Sequence, residues 1–196
     1  MAKPERAAAG FTVKSGWACA VLIGGTPAGP RLVDSRRVEI SDPGIPDAKQ
    51  PYHAGFGTAR DAGDDLKRLV SSVKGYGRKS VSALIREYQK SASVAAAGVV
   101  VGSLIDPKTI GNDHIRIHAM EGQLFRDVLI GGAERRGVTC SVWRERDLYA
   151  AAAKQLKTAE TVLKKRLTAL GETADGGWRA EQKAAALAAW MVLSTY

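Results

Sequence analysis

The sequence has few cysteines, few acids relative to bases, and no long apolar run, and each shortage closes off a class of protein. Two cysteines, Cys19 and Cys140, stand apart with no Cys-x-x-Cys spacing, too few for a disulfide framework. Both fall in strand-like segments and are read as buried thiols. No apolar run reaches the ~20 residues that a membrane-spanning helix needs. The Met1–Arg6 segment lacks the apolar stretch and cleavage site of a secretory leader. A cytoplasmic location without a membrane partner is therefore expected. Acids number 20 against 29 lysines and arginines, for a net charge of +9, and a basic surface attracts nucleic acid and other anions. The densest basic run is Lys164-Lys165-Arg166, on a helical pattern, which makes it the candidate phosphate contact. Glycine fingerprints for nucleotides are also missing: Gly24-Gly25-Thr26-Pro27 and Gly55-Phe56-Gly57 match neither the phosphate loop nor the dinucleotide motif. No Gly-x-Ser-x-Gly elbow occurs either.

What is present suits one α/β domain over 1–196, long enough to bury a sizeable core. Segments 9–14, 16–24 and 31–40 read as three strands with short turns, rich in β-branched and apolar residues. Residues 41–60 hold Pro43, Pro46 and Pro51 and form a long irregular loop carrying Tyr52 and His53; loops of that length are often functional. A helix is expected from Asp61 to Lys74, with Leu66, Leu69, Val70 and Val73 at helical spacing. Gly75-Tyr76-Gly77 should break it, and a second piece should start at Ser80. The continuous apolar run within Ala96 to Ile105 fits a strand buried on both faces. A helix capped by Asn112 or Asp113 runs to about Arg136, a strand covers Val138 to Trp143, a long helix spans Arg146 to Leu170, and a last helix begins near Trp178.

The resulting order, β-β-β-α-β-α-β-α-α, is a mixed five-stranded sheet flanked by helices. With Gly16–Leu22, the run Gly98–Leu104 and the Ala180–Trp190 helix, it resembles the RNase H-like superfamily, and within it the RuvC-type Holliday junction resolvases. The resemblance implies carboxylates at three places: the first strand, the end of the central strand and the start of the last helix. There they would hold two Mg²⁺ or Mn²⁺ ions for phosphodiester hydrolysis. In this sequence Lys14 stands in the first strand, Ser103 ends the central one with Asp106 beyond it, and the last helix begins with Glu181 and Lys183. An ammonium repels a divalent cation; at ~4 Å and an effective dielectric of 20, each unit of opposing charge costs about 4 kcal/mol. Lys14 could instead neutralise Asp106 or Glu181.

A second constellation lies on one helix face, where His114, His118 and Glu121 fall at i, i+4 and i+7. No metal is expected; these three are the residues that would hold one. The first reading is a non-catalytic RNase H-like domain that binds a partner, nucleic acid among the candidates. One alternative is a Mg²⁺- or Mn²⁺-dependent nuclease with a displaced carboxylate set drawn from Asp106, Glu121 and Glu181, with Lys14 beside them as a candidate. The other is a homo-oligomeric scaffold, such as a homodimer, joined through the 148–170 helix and the Trp178 and Trp190 helix.

Overall fold

A computed structural model describes residues 4–55 and 58–195; Met1 to Lys3 and the Phe56-Gly57 pair lie outside them. The strands β1 (Glu5–Lys14), β2 (Trp17–Gly25), β3 (Pro30–Glu39), β4 (Ala92–Val101) and β5 (Thr139–Arg144) form one sheet in the order β3-β2-β1-β4-β5. β1 is antiparallel to β2 and parallel to β4, and β4 is parallel to β5. The expected meander and buried central strand are therefore both present. β4 lies between two parallel neighbours with both faces covered, which is why its Val99-Val100-Val101 run does not alternate in polarity.

Helices cover both faces. On one side, α1 (Asp64–Ser91) and α2 (Asp113–Glu134) pack on Phe11, Leu22, Val99 and Val101. On the other, α3 (Leu148–Gln155), α4 (Glu160–Leu170) and α5 (Ala180–Leu193) pack on Ala8, Cys19, Val21 and Val100. α5 is buried continuously from Ala184 to Leu193, and a helix apolar all round belongs inside. Each large apolar side chain it buries stabilises the fold by about 1.5–3 kcal/mol.

α5 approaches the sheet unusually closely because of two glycines. Gly10 of β1 and Gly98 of β4 are register partners. A Cβ on Gly10 would collide with the Ala185 carbonyl oxygen, and one on Gly98 would come within 2.6 Å of the Ala188 carbonyl. Alanines at 184–186, 188 and 189 supply the matching small surface.

Two helical segments and one strand depart from their expected bounds. α1 runs unbroken through Gly75-Tyr76-Gly77 for 28 residues. Gly77 is buried, and a Cβ there would lie 2.5 Å from the Ile40 carbonyl oxygen and from Val128, so this glycine lets α2 and the post-β3 segment approach. Tertiary packing outweighs the ~1 kcal/mol propensity cost of a helical glycine. The expected 146–170 helix is two, because Lys157 adopts a left-handed backbone (φ 49°) between α3 and α4. That turn lets Leu148 and Ala152 of one and Leu163 and Leu167 of the other all reach the core beneath. β4 ends at Val101 rather than near Ile105, where the chain becomes exposed.

Of the two tryptophans expected on a scaffold surface, Trp190 is buried and Trp178 half-buried. Trp190 is 1% exposed and its indole N–H donates to the Pro27 carbonyl (2.9 Å); Trp178 donates to the Leu167 carbonyl (2.7 Å). Cys19 is buried as expected, whereas Cys140 is half-buried, and burial pushes both thiols up to about 12. Among the described residues no helix is long and apolar enough to cross a membrane.

Gly98→Ala should destabilise the fold by about 3 kcal/mol or more through overpacking, whereas Gly75→Ala, with open space around it, should stabilise it by up to about 1 kcal/mol. Urea unfolding midpoints check both; equal effects would refute the close-approach role of Gly98.

Candidate functional site

The carboxyl ends of β1 and β4 meet the amino end of α5, and this is where the resemblance places catalytic carboxylates. Thr12, not Lys14, is the β1 residue that faces α5. Thr12 is 1% exposed and its hydroxyl donates to the Glu181 carbonyl oxygen at 2.9 Å. Lys14 lies two residues further, at the strand's last position, opposite Trp17. Its ammonium reaches neither Asp106 nor Glu181, the partners expected for it, but sits 3.8 Å from the Glu145 carboxylate just beyond β5. The physical reason is position: Lys14 ends β1, two residues beyond the Thr12 that bonds to the start of α5, and its ammonium extends toward the segment that follows β5.

The acidic candidates do not converge. The Asp106 carboxylate accepts the Lys108 amide (3.0 Å) and caps a 3₁₀ turn, Pro107–Thr109. Glu121 is occupied elsewhere, as described below. Glu181 is half-buried at the start of α5, where its charge and that of Lys14 act in opposite senses on the Cys19 thiol. Among Thr12, Lys14, Gly102, Ser103 and Glu181, only Glu181 carries a carboxylate. Lys183, near the same helix start, points its ammonium toward the Thr168 hydroxyl (3.4 Å).

A different cluster assembles alongside. His114 and His118 share a face of α2, as their spacing predicts, but the third member is His53 of the 41–60 loop. The ligand-capable atoms of His53, His114 and His118 all lie within 4.8 Å of one another, and among the described residues this is the group of three or more His, Cys, Asp or Glu side chains gathered so tightly. The Nε2 atoms of His114 and His118 are 3.3 Å apart. Glu121 is not in the cluster but behind it: its Oε1 lies 2.8 Å from His53 Nδ1, and it is 1% exposed. Burial pushes the Glu121 carboxyl above its ordinary value, while the His53 hydrogen bond and charge and the Tyr52 backbone pull it back. Desolvation, then His53 and His114, holds His118 below the usual imidazole value.

The loop reaches this position through its own bonds. A 3₁₀ turn, Pro46–Lys49, is followed by an isolated bridge between His53 and Ala59. The Arg60 amide donates to the Tyr52 carbonyl (2.8 Å), and its guanidinium to the Pro51 carbonyl (3.1 Å) and Asp47 (3.1 Å). His118 also borders a cleft lined by Lys14, Ser103 and Glu145, so the histidine cluster adjoins the sheet end. Nothing in local sequence spacing links position 53 to α2, though a lone histidine in a long proline-bearing loop was a visible signal.

The basic residues distribute over two faces. Lys164, Lys165 and Arg166 are exposed on α4; Lys164 is 3.6 Å from Glu160 and lies over the Tyr149 ring, and Arg166 lies over Trp190. On the opposite face, a cleft of ≈ 590 Å³ between α1, α2 and the 104–108 segment gathers Lys74, Arg78, Lys108, Arg116 and Arg126 against Asp106 and Asp127. Sequence reading missed it because its cations come one or two at a time from three separate segments.

The sheet, with β3-β2-β1 antiparallel, β1-β4-β5 parallel and helices on both faces, has the RNase H-like fold, of the RuvC type. Thermus thermophilus RuvC is similar over 94% of this chain and 92% of its own, with a TM-score of 0.57 and 11% identity. The same protein in complex with Holliday junction substrate is similar over 95% and 91%, with a TM-score of 0.56 and 11% identity. The yeast mitochondrial Holliday junction resolvase Ydc2 is similar over 100% of this chain and 81% of its own, at a TM-score of 0.51 and 9% identity. No family model and no curated protein matches the sequence.

Because the Thr12 hydroxyl is bonded in a nearly dry setting, Thr12→Val should cost about 1 kcal/mol, whereas Lys14→Met, losing one half-exposed ion pair, should cost well under about 1 kcal/mol. Chemical denaturation of both variants tests this; a larger loss at Lys14 would mean that its pairing, not Thr12, secures the sheet end.

Proposed function

We propose that this chain is a nucleic-acid-binding RNase H-like domain that does not use the two-metal carboxylate chemistry of nucleases with its fold. The observation that carries this reading is the donor set at the sheet end. Mg²⁺ and Mn²⁺ demand several hard oxygen ligands, chiefly carboxylates. Two carboxylates stand there and each is compromised as a ligand: Glu181 lies next to a threonine whose hydroxyl is already bonded, and Glu145 is paired with the Lys14 ammonium at 3.8 Å. The residues present do not fit a two-metal centre.

Nucleic acid as the partner is supported by the similarity to a resolvase solved with Holliday junction substrate and by the net charge of +9. The surface that best suits phosphates is the α1–α2 cleft. Arg116 and Arg126 pair with Asp113 and Asp127 at its edges, and the Arg78 Nε is buried without a hydrogen-bond partner. Arginine donors are suited to bidentate phosphate contacts. The Lys164–Arg166 run lies on the other face, where Lys164 and Arg166 are engaged by aromatic rings.

Fluorescence anisotropy with four-way and linear DNA should show binding that weakens linearly in log–log form with salt. The double variant Arg78→Glu, Lys108→Glu should bind at least about tenfold more weakly and with a shallower salt slope, and Lys164→Glu, Lys165→Glu should change little. With Mg²⁺ or Mn²⁺ at saturation the junction should stay intact; cleavage abolished by Glu181→Gln would overturn the non-catalytic reading in favour of a metal-dependent nuclease.

A further inference from the structure

We propose that His53, His114 and His118 form a binding site for a borderline divalent transition metal, Zn²⁺ foremost, that fastens the 41–60 loop to α2. This inference is independent of whether the domain binds nucleic acid.

Geometry is the first support. Zn–N bonds of about 2.0–2.1 Å at tetrahedral angles place two ligating nitrogens about 3.3–3.4 Å apart. The His114 and His118 Nε2 atoms are 3.3 Å apart, and the whole triad falls within 4.8 Å. The i, i+4 pair needs no adjustment of the helix to present both rings to one point.

The second support is how His53 is held. His53 Nδ1 faces the Glu121 carboxylate at 2.8 Å. With Nδ1 engaged there, Nε2 is the ring nitrogen left to face the other two imidazoles. That Nε2 is buried and has no hydrogen-bond partner, on a side chain 8% exposed. A buried ring nitrogen without a partner is unfavourable; a metal ion satisfies it. A carboxylate behind a ligating imidazole is the arrangement that fixes tautomer and ring orientation and raises the ligand's basicity.

The third support is Glu121 itself. It is an almost fully buried carboxylate whose Oε2 also lacks a hydrogen-bond partner. A cation held on the far side of the His53 ring would supply the positive charge that this position needs.

The donor set defines the ion. Three neutral imidazoles suit Zn²⁺, Co²⁺, Ni²⁺ or Cu²⁺ and not Mg²⁺ or Ca²⁺, which prefer oxygen. Three protein ligands leave a fourth position for water or another small ligand. The triad opens on a cavity lined also by Lys49, Gln50 and Arg60, and His114 and His118 are exposed enough for an ion to enter.

The test uses the untagged chain after chelator treatment, titrated with Zn²⁺ against a chromophoric competitor and, separately, with Co²⁺. One equivalent of Zn²⁺ per chain is expected, undisturbed by excess Mg²⁺, with visible Co²⁺ bands of four-coordinate intensity. Glu121→Gln should weaken Zn²⁺ binding about 10–100-fold, and His114→Ala, His118→Ala should weaken it beyond that. These two histidines are exposed, so the double variant should keep its circular dichroism. Zn²⁺ should raise the thermal midpoint of the natural chain and not that of the double variant. Absence of stoichiometric binding, or equal Zn²⁺ affinity in a folded double variant, would overturn the site.

Discussion

The close seating of α5 on β1 and β4 is the constraint on which the rest of this structure depends. It exists because Gly10 and Gly98 stand side by side in the sheet and alanines line the helix above them. A helix held this near cannot turn a polar side to solvent, so it is apolar from Ala184 to Leu193, and α3 and α4 must cover its outer surface. The same seating brings the start of α5 down to the end of β1, where Thr12 bonds to the Glu181 backbone. The junction of β1, β4 and α5 is thus held by packing alone. Nothing in that packing requires carboxylates, so the chemistry at the sheet end and the fold beneath it are separable.

The two faces of the sheet then serve different ends. The α5 face is dry and supports the fold. The other face carries α1 and α2, held close by Gly77 and Gly132, and it is there that functional groups collect: the basic cleft at the edge of α2, and the three imidazoles at its beginning. His118 borders both the imidazole cluster and the cleft beside Lys14. Any ion bound by the histidines would therefore lie beside the sheet end while being held by α2 and a loop.

Much of this was legible in the residues. Alternation and apolar runs identified all five strands, because burial on one or two faces leaves a direct period in sequence. The Asn112 cap of α2 was equally readable, and its side chain accepts the Ile115 amide at 3.0 Å. Breaks were not: Gly77 looks like a helix stop and is a helix-to-helix contact, while Lys157 looks helical and marks a turn. Glycine's local preference and its steric use in packing carry the same letter. The site was half visible. His114 and His118 announce each other by spacing, but Glu121, grouped with them as a candidate, bonds to His53 behind the cluster, and His53 joins them only through the tertiary path of the 41–60 loop. Likewise Lys14 drew notice as a misplaced charge, although the strand residue facing α5 is Thr12.

The central proposal is that the sheet end does not bind a pair of divalent ions and that the histidine triad binds one. Crystals soaked with Mn²⁺ and Zn²⁺ together, with anomalous maps recorded at each absorption edge, address both halves at once. The expected result is a Zn²⁺ peak among His53, His114 and His118 and no Mn²⁺ peak beside Glu181. A pair of Mn²⁺ peaks between Thr12 and Glu181, with the imidazoles empty, would contradict it.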